Sequence, residues 1–435
     1  MLEQLFKLKE KDTTVRVEVI AGLTTFMTMA YIIFVNPLIL SDAGMDRAAV
    51  TTATILAAGF STILMGLFVN YPFALASGMG LNAYFTYSVA LRADSWEVAL
   101  GAVFLSGIAF LILAVTGAIA HIDAAVPTSL KRAVSVGIGL FIALIGLKNA
   151  EIIVSYPATL VDLGNLTAPG PLLAVIGILI ISVLMALKIR GAMLIGIILT
   201  TLIGIPMGVT QTAERIVDMP ASLAPILFKM DISGALGLGF MVIFSFLFVD
   251  IFDTMGTLMG TATRANMLDK KGRLPRIRQA MAVDAVGTMF GAAAGTSTVT
   301  TYVESTAGIT EGGRTGLTSV VVGLMFFLSL FIGPLALMVP AEATAPALIL
   351  VGVLMMGAIT GIDFEDFTEA LPAFMTIAIM PFSFSISHGI AAGFLTYPIV
   401  KVAAGRGKEV HPLVYVLGLI SLFHLAPNLI EMIGL

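Results

Sequence analysis

GTSTVTTYVE at residues 295–304 and ASGMGLNA at residues 76–83 open two short apolar segments with small and hydroxyl side chains. Gly, Ser and Thr at the start of a membrane segment predict extended backbone that leads into a half-helix. Non-helical backbone is tolerated at membrane depth only where protein buries it or where it lines a cavity. Small residues also mark tight helix packing, which is the better interpretation for either stretch alone. Their matched positions along the chain favour broken helices.

The composition places the chain in a membrane. Hydrophobic residues make up 58% of its 435 residues and charged residues only 11%, whereas a soluble globular chain is about a quarter charged. One soluble core cannot bury that excess, so most of it must face lipid or pack between lipid-embedded helices. Since a spanning helix needs about 20 mostly apolar residues, the sequence predicts an all-α polytopic membrane protein.

Apolar stretches recur along the chain with only short polar breaks between them. We predict fourteen membrane segments, numbered in chain order: 17–40, 50–69, 74–91, 97–120, 130–147, 171–189, 192–208, 235–262, 279–294, 297–311, 315–338, 346–361, 368–387 and 388–404. The polar stretch 211–234, which includes Glu214, is predicted to be an extracellular loop. The apolar tail at 412–430 is predicted to be an interfacial helix rather than a fifteenth span.

The basic residues support this count if the N-terminus lies in the cytoplasm. Of the 23 Lys and Arg residues, 18 then fall on the cytoplasmic side, among them Lys270 and Lys271. This asymmetry follows the positive-inside rule. The N-terminal residues show no short apolar core followed by a cleavage site, so we expect no cleaved signal peptide.

Fourteen segments divide into two units of seven. Because seven is odd, the second unit enters the membrane from the opposite side, which is the arrangement of an inverted repeat. The two stretches quoted first open segments 3 and 10, which hold the same place in each unit. The sequence therefore predicts two inverted seven-helix repeats, with broken helices in segments 3 and 10.

Acidic side chains inside membrane spans cost about 2.5–3.5 kcal/mol on insertion scales. Asp250 and Asp253 lie three residues apart on one face of segment 8, and Glu304 follows the hydroxyl run of segment 10. A carboxyl group in such a site can exchange a proton near neutral pH, as a proton-driven carrier requires. Its neutral form donates one hydrogen bond while accepting another, which suits the N–H and C=O edge of a heterocycle.

Each acid also has a structural alternative, in which it bonds a neighbouring helix and stabilises the bundle. For Asp250 the two interpretations carry equal weight. Asp253 and Glu304 stand beside the proposed breaks, which favours a functional role. Asp284 lies one to two turns from Arg278, so an interfacial or intrahelical partner near the cytoplasmic boundary is the better interpretation.

Asn82 in segment 3 offers a donor and an acceptor together. By itself, an interhelical hydrogen bond is the better interpretation of this amide. The four histidines show no metal-ligand spacing and there are no cysteines, so we predict no metal site and no cofactor. The basic run at 270–278 is explained by a cytoplasmic loop, and no nucleic-acid partner is predicted.

Five stretches carry a family resemblance: TTVRVEVIAGLTTFMTMAYIIFVNP at 13–37, ALASGMGLNAYFTYSV at 74–89, VDIFDTMGTLMGTATRANML at 249–268, GTSTVTTYVESTAGITEGGRTGLTSV at 295–320 and ALPAFMTIAIMPFSFSISHGIAAGF at 370–394. With them the chain resembles the AzgA-like purine permeases of the nucleobase/ascorbate transporter superfamily. The resemblance extends from Phe6 to about Lys408.

The resemblance implies a division into core and gate domains, and short strands before the half-helices of segments 3 and 10. The core domain would comprise residues 1–120 and 235–340. The gate domain would comprise residues 121–210 and 341–408, followed by a tail at 409–435.

The resemblance also implies a substrate site between segments 3 and 10. Asp253 in the DTMG stretch and Glu304 in the YVEST stretch stand where the family's two acids belong, and Asn82 fills the place in segment 3. The remaining substrate contacts are expected from Gly80, Leu81, Val303 and Ser305. Proton coupling is expected from Glu304 and Asp253, and from Asp250.

The function implied is a proton-coupled symporter that imports hypoxanthine, guanine or adenine across a cell membrane. The nearest alternatives are a uracil or xanthine carrier, and an anion transporter or channel of the same architecture. An intramembrane enzyme is not predicted, because no catalytic set such as Ser–Lys or paired metal ligands occurs. A homodimer is a further expectation from the resemblance.

Overall fold

The computed structural model describes residues 2–213, 215–269 and 273–426. The predictions made for Glu214, for Lys270 and Lys271, and for the end of the tail at 427–430 lie outside the described residues.

The first half of the chain forms a short helix at Leu2–Phe6 and then the seven predicted segments. They comprise Val15–Met29 with Ile32–Ser41 (segment 1), Arg47–Leu64 with Met65–Val69 (segment 2), strand β1 at Leu75–Ser77 with Met79–Ala83, Tyr84–Ala90 and Leu91–Ala93 (segment 3), Trp96–Thr116 (segment 4), Thr128–Asn149 (segment 5), Pro169–Ala186 (segment 6) and Ala192–Gly204 (segment 7). A short helix at Ile119–Ala125 joins segments 4 and 5.

The second half repeats this order of elements. It comprises Ile232–Gly237 with Phe240–Arg264 (segment 8), Ile277–Ala294 (segment 9), strand β4 at Val299–Thr301 with Ser305–Thr310 (segment 10), Gly316–Ser329 with Leu330–Ile332 and Gly333–Met338 (segment 11), Ala341–Met356 with Gly357–Gly361 (segment 12), Phe367–Ser383 (segment 13) and Ile386–Ala403 (segment 14). A turn at Gly407–Glu409 and an apolar helix at Pro412–Leu425 follow.

Nine helices in the described ranges are long and apolar enough to cross a membrane, judged by length and composition. Segments 3 and 10 are broken by strands, and segments 7, 9 and 13 are shorter or more polar. The prediction of a mostly helical membrane protein with short strands in segments 3 and 10 is confirmed. The count of fourteen spans stays a prediction.

Strands β1 and β4 pair with each other in the interior of the bundle. They run antiparallel, with Leu75 opposite Thr301 and Ser77 opposite Val299, and every residue of both strands is buried. The pairing satisfies backbone N–H and C=O groups that neither water nor lipid can satisfy at this depth. The antiparallel direction agrees with two copies of one unit inserted from opposite sides.

Two groups of helices surround this strand pair. Segments 1, 2, 4, 9 and 11 pack against one another, and segments 5, 6, 7, 12, 13 and 14 pack against one another. The half-helix of segment 3 passes between the groups. A Cβ atom on Gly80 would stand 2.5 Å from Ile138 Cγ2 of segment 5, so only glycine permits this close approach.

One feature outside the membrane segments differs from the prediction, and the loop at 211–234 makes contacts with the bundle. An antiparallel hairpin of β2 (Ile153–Tyr156) and β3 (Leu160–Leu163) occupies the connection between segments 5 and 6, which the sequence analysis left without strands. The predicted loop at 211–234 folds back over the bundle, because Asp218 N–H bonds Phe331 O and Phe228 N–H bonds Ala293 O.

A buried acid joins segments 1 and 11. Glu18 is fully buried, and its carboxylate accepts hydrogen bonds from the backbone N–H groups of Arg314, Thr315 and Thr318. These donors lie at the start of the helix Gly316–Ser329. They would otherwise be unsatisfied, and the helix dipole favours an anion there.

We predict that Glu18→Ala lowers the stability of the protein by about 2–3 kcal/mol, because it leaves buried N–H groups without a charged acceptor. The measurement is the midpoint of thermal unfolding of the purified protein in detergent. The control is Glu10→Ala, which removes an exposed carboxylate and should leave the midpoint unchanged. Equal midpoints for both variants would contradict the role assigned to Glu18.

Candidate functional site

A cavity of about 450 Å³ lies beside the strand pair, where segments 3, 8 and 10 meet segments 5 and 12. Small-molecule pockets in proteins span about 300–1,000 Å³. The walls include Gly78–Leu81 of segment 3, Phe252 and Asp253 of segment 8, and Thr300–Glu304 of segment 10. The cavity therefore forms where the two strands give way to their half-helices.

Two acids of segments 8 and 10 face this cavity. Asp253 belongs to the helix Phe240–Arg264, and its side chain is exposed to the cavity. Glu304 immediately precedes the helix Ser305–Thr310, and its Oε1 accepts a hydrogen bond of 2.8 Å from the Tyr31 hydroxyl. The fold therefore brings together two carboxyl groups that lie 51 positions apart in the sequence.

The other predicted substrate contacts divide into two sets. Gly80, Leu81 and Val303 line the cavity together with the two acids. The side chains of Asn82 and Ser305 are fully buried and lie behind the lining. The roles predicted for all of these residues in binding stay predictions.

Asn82 and Ser305 differ in their hydrogen bonds. Ser305 Oγ accepts a hydrogen bond of 3.0 Å from the backbone N–H of Ala74, so it stabilises the start of β1. Both polar atoms of the Asn82 side chain lack a hydrogen-bond partner among the described residues. The interhelical hydrogen bond weighed as the alternative for Asn82 is therefore not formed in this structure.

Two acids sit deeper than the cavity wall. Asp250 is 1% exposed, and its Oδ2 accepts a hydrogen bond of 3.0 Å from Thr288. Asp284 is fully buried and accepts hydrogen bonds from Thr254 at 3.0 Å and from Thr301 at 2.9 Å. The interfacial position predicted for Asp284 is wrong, because segment 9 packs this residue against segment 8 and strand β4 rather than at a membrane boundary.

Several lining residues escaped the sequence analysis. Tyr31 lies at the break between the two helices of segment 1, and Tyr302 donates a hydrogen bond of 2.5 Å to Ser77 O across the strand pair. Phe252 and Thr300 complete the wall near Asp253. Tyr31, in the stretch MAYIIFVNP, carries no signal of its own, because a tyrosine in an apolar segment is ordinary.

One end of the cavity carries charged residues. Asp123, Lys131 and Arg132 line it there. Lys131 Nζ lies 2.6 Å from Asp123 Oδ1 and 5.3 Å from the centre of the Phe252 ring, and Arg132 donates a hydrogen bond to Gly361 O. The positive-inside prediction assigns this end to the cytoplasm.

Segment 3 continues from the cavity into contacts with segments 5 and 13. Ser88 Oγ donates a hydrogen bond of 2.8 Å to Phe384 O, and Arg92 donates one of 2.6 Å to Ser383 O. The Tyr87 hydroxyl lies 2.5 Å from Asp42 and accepts a hydrogen bond of 3.3 Å from Asn149. These contacts hold the two helix groups together at the end that the same prediction places outside.

Comparisons with known proteins identify close relatives over nearly the whole chain. A model of the Xan_ur_permease family, described as a permease family, matches residues 16–392. A putative permease of Methanocaldococcus jannaschii, MJ0326, is 55% identical over 421 residues, which cover 96% of this chain and 97% of that protein. The adenine permease AdeP of Escherichia coli is 47% identical over 422 residues, covering 97% and 95%. The guanine/hypoxanthine permease PbuO of Bacillus subtilis is 44% identical over 431 residues, covering 97% and 99%.

Among solved structures, the transmembrane domain of the cyanobacterial bicarbonate transporter BicA superimposes with a TM-score of 0.67. The match covers 87% of this chain and 97% of BicA's domain at 17% sequence identity. This likeness concerns the fold alone.

We predict that Val303→Cys reacts with a water-soluble maleimide at least about tenfold faster than Ser305→Cys, because thiol reactivity follows access. Val303 is 55% exposed on the cavity wall, whereas Ser305 is fully buried two positions away. The natural chain has no cysteine, so each variant carries a single thiol. The labelling rate of the purified protein is the measurement, and equal rates would contradict the cavity described here.

Proposed function

The chain belongs to the permease family and is a nucleobase transporter rather than an enzyme, and from that premise we propose that it imports purine bases together with protons. The base would bind between Asp253 and Glu304. The observation that carries this proposal is one cavity that holds both carboxyl groups beside the ends of the paired strands.

The chemistry of the cavity suits a purine. A purine carries N–H donors and ring nitrogen or carbonyl acceptors along one edge. An ionised carboxylate accepts such N–H groups, and a neutral one donates to an acceptor. Leu81, Ile138 and Met255 supply apolar walls for the ring faces. The relatives named as adenine and guanine/hypoxanthine permeases support a purine over a uracil cargo.

Proton coupling is supported by the charges around the site. Neither Asp253 nor Glu304 takes part in an ion pair within the ranges that the structure describes, and the nearby Lys131 pairs with Asp123 instead. A carboxyl group at membrane depth that has no cation as a partner is stable when it holds a proton. Each acid can therefore switch between a neutral and an ionised form as cargo binds and leaves. Two acids also make an anion an unfavourable cargo here, although BicA shares the fold.

The two helix groups support alternating access. We assign segments 1–4 and 8–11 to the core domain and segments 5–7 and 12–14 to the gate domain. The cavity lies between them and reaches Lys131 and Arg132, whereas Ser88 and Arg92 hold the domains together beyond it. In this inward-facing form the cargo would leave to the cytoplasm. Opening to the outside would break the contacts of Ser88 and Arg92 with residues 383–384.

The remaining expectations concern the membrane, the orientation and the oligomeric state of the carrier. We place it in the cell membrane with its N-terminus in the cytoplasm, since that orientation puts most Lys and Arg residues inside. The homodimer expected from the family resemblance stays a prediction, and the cargo site described above is built from one chain.

We predict that Glu304→Ala weakens binding of labelled hypoxanthine or adenine by about 30-fold or more. That factor corresponds to about 2 kcal/mol, the contribution of one hydrogen bond to a charged group. The measurement is the concentration dependence of base uptake into proteoliposomes with an imposed pH gradient, which gives the apparent affinity. Glu365→Ala, which removes an exposed carboxylate between segments 12 and 13, is the control. Unchanged uptake by Glu304→Ala would refute the role of Glu304.

A competition panel identifies the cargo class. We predict that unlabelled adenine, guanine and hypoxanthine reduce uptake of the labelled purine in the unaltered protein, whereas uracil at the same concentration does not. Competition by uracil alone would favour a pyrimidine carrier. A current that does not saturate with concentration would favour a channel.

A further inference from the structure

A chain of hydroxyl groups joins the fully buried Asp284 to the cavity. Asp284 Oδ1 lies 3.0 Å from Thr254 Oγ1, which lies 2.8 Å from Thr300 Oγ1. Thr300 Oγ1 in turn lies 3.5 Å from Asp253 Oδ2. Thr300 and Asp253 line the cavity, whereas Thr254 and Asp284 lie behind its wall. We call Asp284, Thr254, Thr300 and Asp253 the relay.

The protons of the relay can be counted. Each threonine hydroxyl has one proton to donate. The relay contains three hydrogen-bonding contacts but only two hydroxyl groups, so all three contacts are hydrogen bonds only when a carboxyl group at one end holds a proton. If Asp253 holds it, every donor points towards Asp284. If Asp284 holds it, every donor points towards Asp253.

These two states differ by the position of one proton and the rotation of two hydroxyl groups. Between Asp284 and Thr300 no heavy atom has to move, so only the contact with Asp253 limits passage of the proton between the cavity and a site behind its wall. The contact of Asp253 with Thr300 is the longest link, at the limit of hydrogen-bond length. A cargo molecule that shifts Asp253 can therefore open or close the relay.

The surroundings of Asp284 contain acids and few cations. The elements packed on segment 9 are segments 2, 4 and 8 and the strand pair. Their titratable groups are Asp250 and Asp253 of segment 8 with Arg264 in its last turn, Tyr302 and Glu304 after β4, and Arg47 and Glu97 in the first turns of segments 2 and 4. Segment 9 itself adds Arg278. The ion pairs found in the described residues do not include Asp250, Asp253, Asp284 or Glu304.

We propose that Asp284 is the proton store of the carrier and that Thr254 and Thr300 pass the proton between it and Asp253. This inference rests on the proposed function. An N–H group of the purine binds ionised Asp253 while the proton that entered with it rests on Asp284. Return of the proton to Asp253 leaves a neutral carboxyl group, which accepts this N–H group more weakly than the ionised carboxylate does. The base then leaves, and the proton follows from Asp253 into the cavity.

Asp250 provides a matched control. It is buried in the same region and bonds Thr288, which also bonds the backbone of Val299. Its hydrogen bonds do not include any member of the relay, and its Oδ1 has no partner among the residues described. Asp250 thus shares the burial and the chemistry of Asp284 but not the connection to the cavity.

The test uses the full chain in lipid nanodiscs, with labelled adenine as the probe. We compare the unaltered protein with Asp284→Asn, Thr254→Val and Asp250→Asn. Affinity is measured from about pH 6 to about pH 8.5, and proton uptake on binding is followed with an indicator dye in weak buffer. Affinity of the unaltered protein should fall as pH rises, by up to about tenfold per pH unit for one linked proton.

Asp284→Asn imitates the protonated acid permanently, because its amide donates to Thr254. Its affinity should therefore change less than about twofold over the same range, and binding should take up no proton. In proteoliposomes it should exchange labelled for unlabelled base but lose accumulation driven by a pH gradient. Thr254→Val, which interrupts the relay without changing charge, should also lose proton uptake. Asp250→Asn, which leaves every relay contact in place, should still take up a proton on binding. It therefore separates a proton store at Asp284 from the proton coupling expected of Asp250 from the sequence.

Three results would overturn the inference. The first is proton uptake by Asp284→Asn equal to that of the unaltered protein, and the second is unchanged proton uptake by Thr254→Val. The third is adenine binding by the unaltered protein that does not depend on pH. If Asp284→Asn does not fold, Thr254→Val decides the question. Failure of the unaltered protein to bind adenine, guanine or hypoxanthine would instead refute the proposed function, so the two failures are distinguishable.

Discussion

The pairing of β1 with β4 is the interaction on which the rest of the structure depends. A chain can leave the helical conformation at membrane depth only if other backbone groups satisfy the N–H and C=O groups it exposes. Here two short strands from opposite halves of the chain do this for each other. Each strand permits a half-helix to begin in the interior. The start of that half-helix, rather than a continuous helix surface, then faces the cavity.

The site follows from this geometry. Glu304 stands at the first turn after β4, and Tyr31 reaches it from a break in segment 1. Asp253 approaches from the unbroken helix of segment 8, while Thr300 of β4 and Thr254 of segment 8 connect the cavity to Asp284. Cargo binding and proton binding can therefore be coupled through side chains where β4 contacts segment 8. The same cavity separates two helix groups that pack mainly within themselves, which is the arrangement an alternating-access carrier needs.

Much of this architecture could be predicted from the sequence, and the limits have physical reasons. Long apolar stretches identified the helices, and the small residues of segments 3 and 10 identified the breaks, because burial in lipid constrains composition strongly. Asp284 was misplaced because distance along a helix from Arg278 does not reveal which neighbours pack on it. Hydrogen bonds between residues far apart in the chain, such as Tyr31 with Glu304, cannot be predicted from the residues around either partner. The hairpin Ile153–Leu163 was missed because an exposed connection with weak alternation looks like a loop.

The most direct test of the account is an experimental structure of the protein with a bound purine. The account predicts the base in the cavity beside the strand pair, with its polar edge within hydrogen-bond distance of both Asp253 and Glu304. A base bound elsewhere, for example at the charged end beside Lys131, with neither carboxyl group in contact, would contradict it.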